Sequence, residues 1–282
     1  MSKLLRADFA RLLKSKVFWV CTLFVFLSEV YNCVGLYRET QSITGYLAHC
    51  DSLLFDVCME MIILAPIFTA LFVGTDYSNG TIRNKIIVGH TRTEIYLSNL
   101  IVCSSALLII QLVGMLTVVG IGFPLVGNME KSFLSLLILS LISFATIVAL
   151  GSICLLIAMS IHSKAHSVVA AILAGIVLLV GAFVIGNGLN QPEYTSSVSV
   201  SLAEDGVDNS DNQVVMEKNP YYISGAKRDV YEFLYDFLPG CQMVQILEQN
   251  PEHPARLPVY SLSIILATTA CGVLLFRKKD IK

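Results

Sequence analysis

Residues 133–160 read "FLSLLILSLISFATIVALGSICLLIAMS", a run of 28 residues without a charged side chain. An α-helix rises about 1.5 Å per residue, so about 20 apolar residues cross the roughly 30 Å hydrocarbon core of a bilayer. The run therefore predicts a membrane-spanning helix. The composition agrees, because 14% of the 282 residues are charged and the mean hydropathy is +0.71, whereas soluble domains carry about 25% charged residues.

Similar runs flank this one on both sides. Together they predict six spans, at residues 17–36, 53–75, 95–121, 133–160, 166–188 and 258–276. The first run is too long for a cleavable signal peptide and has no small-x-small cleavage site, so we expect it to remain as a span. The predicted fold is an all-α polytopic membrane protein with a single domain over residues 1–282.

The basic residues are sorted along the chain, and this predicts its orientation. Thirteen of the 19 Lys and Arg residues fall in the two termini and in the connections after the second and fourth runs. Basic residues in short connections favour the cytoplasm, which predicts a multi-pass plasma-membrane protein with both termini cytoplasmic. The long segment 189–257 carries eleven acidic residues and is predicted to be extracellular.

Residues 1–16, "MSKLLRADFARLLKSK", combine positive charge with a helical period. A helical wheel separates an apolar arc from a basic arc, formed respectively by Leu5, Phe9, Leu12 and Leu13 and by Lys3, Arg6, Arg11 and Lys14. This pattern predicts an amphipathic helix that lies in the cytoplasmic membrane interface.

Residues 76–94, "DYSNGTIRNKIIVGHTRTE", separate the second and third runs. Ser78 or Asn79 is expected to cap a short helix that ends at Gly89. The sequence from Thr91 to Glu94 predicts a capping box at the start of the third span. A short loop between spans needs no such helix, so we expect this segment to dock a partner through a face that carries Ile82 and Ile86.

These features together resemble the ABC-2 class of ATP-binding cassette transporter permeases. The resemblance is most specific in "YSNGTIRNKIIVGHTRTEIYLSNLI", residues 77–101, and extends to the basic N-terminal helix, the large outer segment and the ending "LLFRKKDIK". One departure is Asn99, where relatives often have a Lys at the entrance to the third span.

The resemblance implies an export permease, and it assigns the segment between spans two and three as a coupling helix that docks on a separate ATPase. The residues implied in coupling are Asn79, Gly80, Thr81, Ile82, Arg83, Asn84, Lys85 and Ile86. It also implies that ATP and Mg²⁺ bind the partner ATPase, and that two permease chains form a homodimer or a heterodimer in the lipid bilayer. A nucleic-acid partner is not expected, and peptide, drug, lipid and glycan substrates all remain open.

The sequence allows two sources of energy for transport. No G-x-x-x-x-G-K-[ST] phosphate-binding loop occurs in the sequence, so energy must come from another subunit or from an ion gradient. The alternative function is therefore a gradient-driven secondary transporter that uses Glu29, Asp56 and Glu60, because ionisable groups at membrane depth are often functional. Without a recognisable nucleophile and base motif, we do not expect an enzyme.

Several weaker patterns give further expectations. Residues 190–218 predict either a small hairpin or disorder, and residues 227–248 predict a helix pair at the outer interface. Cys50 and Cys241 both fall in outer segments, where a disulfide between them is one alternative. His162 and His166 have a metal-like spacing but no third ligand nearby, so we expect a polar loop and no metal site.

Span five carries a separate signal for helix packing. Ser167, Ala171 and Gly175 form a stripe of small residues spaced four apart. Such a stripe predicts close packing against another span, either of this chain or of a second one.

Overall fold

The computed structural model describes residues 1–42, 49–127, 129–161, 163–199 and 213–279. Six long helices in this part of the chain are long and apolar enough to span a membrane: α2 (Lys16–Ser42), α3 (Asp56–Ser78), α5 (Arg92–Thr117), α7 (Phe133–Ser160), α8 (Lys164–Leu189) and α11 (Arg256–Lys278). The predicted all-α polytopic membrane fold is confirmed. Because the number of long helices is even, the two termini lie at the same end of the bundle.

Short elements extend or connect the long helices. They are α1 (Ser2–Lys14), a 3₁₀ turn (Cys50–Leu53), α4 (Thr81–Ile87), a π-helical turn (Val118–Gly122), α6 (Phe123–Val126), α9 (Ala226–Phe237) and α10 (Pro239–Leu247). The end of the bundle that carries α1, α4 and the C-terminal end of α11 is called the terminal end below. The end that carries the 3₁₀ turn, α6 and α9 is called the loop end.

The helix α3 lies at the centre of the bundle, between α7 and α8. The predicted small-residue stripe on α8 is buried, and a Cβ at Gly175 would lie 2.7 Å from the carbonyl oxygen of Ile62 on α3. This confirms that the stripe permits close helix packing, and it identifies a span of the same chain as the partner.

The loop end contains a small hairpin. Strands β1 (Tyr194–Ser199) and β2 (Gln213–Lys218) pair antiparallel, with Tyr194 opposite Lys218 and Ser199 opposite Gln213. The hairpin alternative for residues 190–218 is therefore confirmed for the two strands. The turn between them, residues 200–212, lies outside the described residues.

The helix pair expected over residues 227–248 is present, and its second member is buried within the bundle. Every residue of α10 from Pro239 to Ile246 is buried. Gln242 is satisfied inside the bundle, because its side-chain oxygen accepts hydrogen bonds from Thr146 (2.9 Å) and Ser261 (2.7 Å). The polar side chains of α10 thus have partners on α7 and α11, and the predicted position of the pair at the outer membrane interface stays a prediction.

Cys50 and Cys241 lie in different parts of the core and do not form a disulfide. The thiol of Cys50 faces the backbone oxygen of Val118 at 3.6 Å. Cys241 instead packs in a separate apolar cluster with Ala182, Ile185 and Val244. The disulfide alternative is therefore wrong for this structure.

Candidate functional site

The helix α4 is bounded by two left-handed glycines. Gly80, with φ of +65°, forms the turn that leaves α3, and no side chain caps α4. The caps predicted at Ser78 and Asn79 are therefore wrong, because Ser78 is still inside α3 and Asn79 is the residue that ends it. At the other end Gly89 has φ of +99°, and His90 N–H donates to the oxygen of Lys85 at 3.1 Å. This confirms the predicted glycine stop.

A capping box starts the span α5 shortly after α4 ends. Glu94 N–H donates to Thr91 Oγ1 at 3.2 Å, and Thr91 N–H donates to Glu94 Oε2 at 3.1 Å. This confirms the capping box predicted from the sequence. Because α5 starts at Arg92, few residues separate the end of α4 from a rigid span.

The two isoleucines predicted to form the docking face point into the bundle. Ile82 is 1% exposed, and Ile86 packs against the same core. The outer surface instead presents Arg83, Asn84, Ile87 and Val88. Ile87 is 73% exposed and Val88 is 78% exposed. The docking face assigned to Ile82 and Ile86 is therefore corrected, because the chain's own core already covers both residues.

The other residues predicted for coupling divide between the turn and the helix. Asn79 and Gly80 form the turn before α4, and Thr81 is its first residue. Lys85 faces inwards, where it belongs to a cluster of four ionised residues.

This terminal-end ion cluster consists of Asp8 and Arg11 of α1, Asp76 of α3 and Lys85 of α4. Lys85 Nζ donates to Asp8 at 2.6 Å and to Asp76 at 3.2 Å, and Arg11 forms an ion pair with Asp76. The side chains of both aspartates are at most 2% exposed. Two acids and two bases balance in charge, so the cluster joins three helices without a net buried charge.

Neutral polar groups and an aromatic ring complete the cluster. Ser98 donates to Asp8 at 2.7 Å, and Arg11 donates to Asn99 at 3.2 Å and lies over the ring of Phe72. Burial lowers the pKa of Lys85 from its usual value, while its hydrogen bond to Asp8 opposes that shift. Asn99, the departure noted in the sequence, therefore anchors α1 on α5.

The helix α1 packs on α5 with a face that overlaps the predicted apolar arc, since Leu12 is buried and Leu5 and Phe9 pack against the core. Leu4, Asp8 and Leu12 are its buried residues, whereas Leu13 is 61% exposed. Arg11, predicted on the basic outer arc, points inwards. Asp8 was not predicted as a site residue, although its spacing of four residues from both Leu4 and Leu12 places it on their face.

Hydrogen bonds hold the C-terminal end of α11 against α3, α5 and α7 at the terminal end of the bundle. Lys279 Nζ donates to the oxygen of Met159 at 2.7 Å and to Tyr77 at 3.1 Å. Arg92, the first residue of α5, donates to the oxygen of Arg277 at 3.0 Å. Desolvation lowers the pKa of Lys279 to about 8. The start of α5 is thus held by both α4 and the chain's C-terminal segment.

The three predicted translocation-path acids lie together on α2 and α3. Glu29 is 0% exposed, whereas Asp56 and Glu60 are half-buried on α3. Ser28, next to Glu29, donates to Glu60 at 2.9 Å and so connects the two helices. Of the histidines with a metal-like spacing, His162 lies outside the described residues.

Comparison of the sequence with models of known protein families gives no match, and comparison with curated proteins gives none. The structure itself establishes a multi-pass membrane fold with six candidate spans. The resemblance to ABC-2 permeases stays a prediction that rests on the segment between α3 and α5.

Proposed function

We propose that this chain is the permease subunit of an ATP-binding cassette exporter, in which a separate ATPase docks on α4. The observation that carries the proposal is the exposure of Ile87, the last residue of α4, and of Val88, which follows it, whereas Ile82 and Ile86 of the same helix pack into the bundle. Exposed apolar side chains beside polar ones are typical of an interaction site. Arg83 and Asn84 provide the polar neighbours.

The contacts of α4 suit the transfer of movement from a docked subunit. A connection of four residues, 88–91, joins α4 to the capped start of α5, and Lys85 ties α4 to α1 and α3. A displacement of α4 therefore acts on three helices together. Because packed helices move as rigid elements, such a contact is a means by which nucleotide-driven closure outside the membrane rearranges the spans.

Two copies of the permease and two ATPases are the assembly implied by the proposal. The proposed orientation places both termini and α4 in the cytoplasm, where ATP is available. The exported substrate is not assigned by the docking surface.

The docking test uses the full-length protein purified from its native membranes. Co-purifying chains are identified by mass spectrometry, and the proposal requires one that contains a G-x-x-x-x-G-K-[ST] sequence and whose ATP hydrolysis increases when it binds this chain. In the double variant Ile87→Ser, Val88→Ser, we expect the dissociation constant to rise by at least about tenfold, since two apolar contacts at an interface centre are lost.

The matched control is Tyr221→Ser, which removes a side chain of similar exposure, 77%, at the loop end. This variant should bind the ATPase as the wild type does. Wild-type binding and ATPase stimulation by the double variant, at equal expression, would remove the coupling role from α4.

The secondary-transporter alternative is favoured by one observation, the burial of Glu29 beside two further acids. It requires substrate movement driven by a proton gradient in vesicles that contain this chain alone. Under the exporter proposal, Asp56→Asn and Glu60→Gln leave the coupling to ATP hydrolysis intact and either keep ATP-dependent transport or change its substrate preference. Gradient-driven transport without any ATPase, abolished by either substitution, would favour the alternative.

A further inference from the structure

The acids on α2 and α3 form a site inside the membrane-spanning part of the bundle. Glu29 follows Lys16, the first residue of α2, by 13 positions, which places it about 20 Å from the terminal end. Asp56 begins α3 at the loop end, and Glu60 lies one turn further into the bundle. Glu29 is therefore the central residue of α2, and the other two carboxyl groups lie nearer the loop end.

Glu29 has no positively charged partner in the part of the chain that the structure describes. Asn32 is the polar side chain within reach of its carboxyl group, which otherwise has no hydrogen-bond partner there although the residue is fully buried. A buried carboxylate without a partner is strongly disfavoured, because it loses the hydration that stabilises its charge. Glu29 must therefore hold a proton or face a cation.

The surroundings of Glu29 supply no positive charge. The titratable groups that face it are Asp56, Glu60 and Cys58 of α3 and Cys33 of its own helix. On α5, Gly114 lies close to Val25 of α2 and Val57 of α3. Within the described ranges, no ion pair includes Glu29, Asp56 or Glu60.

The chemistry of the site fits an organic cation better than a metal ion. Among the described residues, no group of three His, Cys, Asp or Glu side chains converges closely enough to hold a metal. An ammonium group needs fewer ligands, because one ion pair and hydrogen bonds to neutral acceptors satisfy its three donors. Ser28 and Asn32 provide neutral oxygens next to Glu29.

We propose that Glu29, Asp56 and Glu60 bind the ammonium group of an amine-bearing molecule. Glu29 carries a proton while the site is empty, and the half-buried Asp56 and Glu60 attract the cation from the open side. On binding, the Glu29 carboxyl group releases that proton to water and its carboxylate pairs with the ammonium group. The interpretation of this molecule as exported substrate rests on the proposed export function, whereas the binding itself does not.

The test measures binding of a fluorescent primary amine, dansylcadaverine, to the full-length protein in nanodiscs of phosphatidylcholine. Its N-acetylated form, which has the same dye and linker but no charge, measures partition into lipid and apolar grooves. We expect the wild type to bind the amine at least about tenfold more tightly than the acetylated form, and to release protons into weakly buffered solution as it does so.

Glu29→Gln is expected to abolish the preference for the amine and the proton release. Because glutamine has the shape of glutamate and Glu29 forms no ion pair among the described residues, the protein should remain folded, which size-exclusion chromatography checks. Asp56→Asn with Glu60→Gln is expected to weaken amine binding as well. The matched control Glu39→Gln makes the same change at an exposed position of α2 and should bind as the wild type does.

Equal binding of the amine and its acetylated form by the wild type would overturn the proposal, as would an unchanged preference in Glu29→Gln. Neither result depends on an ATPase. If amine binding fails and ATPase coupling is normal, the export function stands and the amine site does not. If ATPase coupling fails and amine binding is normal, the amine site stands and the export function does not.

Discussion

At the scale of single residues, the tightest helix contact joins α11 to α5 through Gly272. A Cβ at this position would overlap the ring and hydroxyl of Tyr96, which is 0% exposed and so has no room to move away. Protein interiors resist the addition of even one methyl group where neighbours are fixed. The absence of a side chain at Gly272 is thus what lets α11 approach α5.

We therefore expect Gly272→Ala to lower stability by about 1–3 kcal/mol, the usual cost of overpacking. The measurement is thermal unfolding of the purified protein followed by size-exclusion chromatography. Gly181→Ala on α8 is the control, because no atom lies within 4 Å of the added Cβ. In a helix this control should be neutral or stabilising by up to about 1 kcal/mol. Equal stability of the two variants would contradict the packing assigned to Gly272.

At the scale of elements, the terminal-end ion cluster determines how α1 and α4 are held. Removing one member of a buried ion pair costs about 3–5 kcal/mol because an uncompensated charge remains, whereas removing both members is often close to neutral. Lys85→Met leaves the cluster with one excess negative charge, and Asp8→Asn leaves one excess positive charge.

We expect each of these single substitutions to destabilise the protein by about 3 kcal/mol, and the double variant by clearly less than the sum of the two. The same unfolding assay is applied to the wild type, the two single variants and the double variant, which together form a double-mutant cycle. The matched comparison is Arg228→Met with Glu232→Gln, an ion pair at 2.9 Å whose side chains are 34% and 45% exposed. Because exposed pairs contribute about 0–1 kcal/mol, that cycle should show little coupling. Additive effects of the Lys85 and Asp8 substitutions would contradict a shared cluster.

The elements that the sequence predicted correctly depend on local signals. The six spans follow from hydropathy, and Gly89 and the Thr91–Glu94 box follow from the chemistry of helix ends. The partner of an amphipathic face is not a local property. Ile82 has the same helical period whether it packs in its own bundle or in another subunit, and only tertiary contacts distinguish the two.

Asp8 is a second case in which the sequence pattern alone did not predict the tertiary contacts of a side chain. Asp8 was assigned to neither arc of this basic, amphipathic segment, although its register with Leu4 and Leu12 placed it inwards. Its partners are Lys85, 77 positions away, and Ser98, 90 positions away. The sequence contains the register but not these distant contacts, so the cluster at the candidate site was missed.

At the scale of the whole molecule, burial is concentrated on α3, while α8 and α11 are mostly exposed at the surface of the bundle. The exposed side chains of these outer helices are largely apolar, such as Leu173, Val177, Leu266 and Leu274. In a bilayer these surfaces contact lipid or another chain. Their exposure is therefore compatible with a stable fold in the membrane, whereas in water it would promote aggregation.

The orientation of this bundle gives the last prediction. Thirteen basic residues at the termini and in the short connections of the terminal end predict that this end faces the cytoplasm. Cys271 is the one exposed cysteine, so Cys271→Ser provides a background with little reactive thiol. In that background Ser210→Cys tests the acidic segment between α8 and α11, and Lys278→Cys tests an exposed position at the end of α11.

A membrane-impermeant maleimide should label Ser210→Cys in intact cells, and Lys278→Cys only after permeabilisation. The unmodified Cys271→Ser background controls for labelling of the buried thiols. The opposite pattern would invert the bundle and move α4 away from cytoplasmic ATP, which would remove the basis for ATPase docking. A single crossing by α11 places residues 210 and 278 on opposite sides of the membrane. Labelling of both positions from outside would therefore contradict the assignment of α11 as a membrane span.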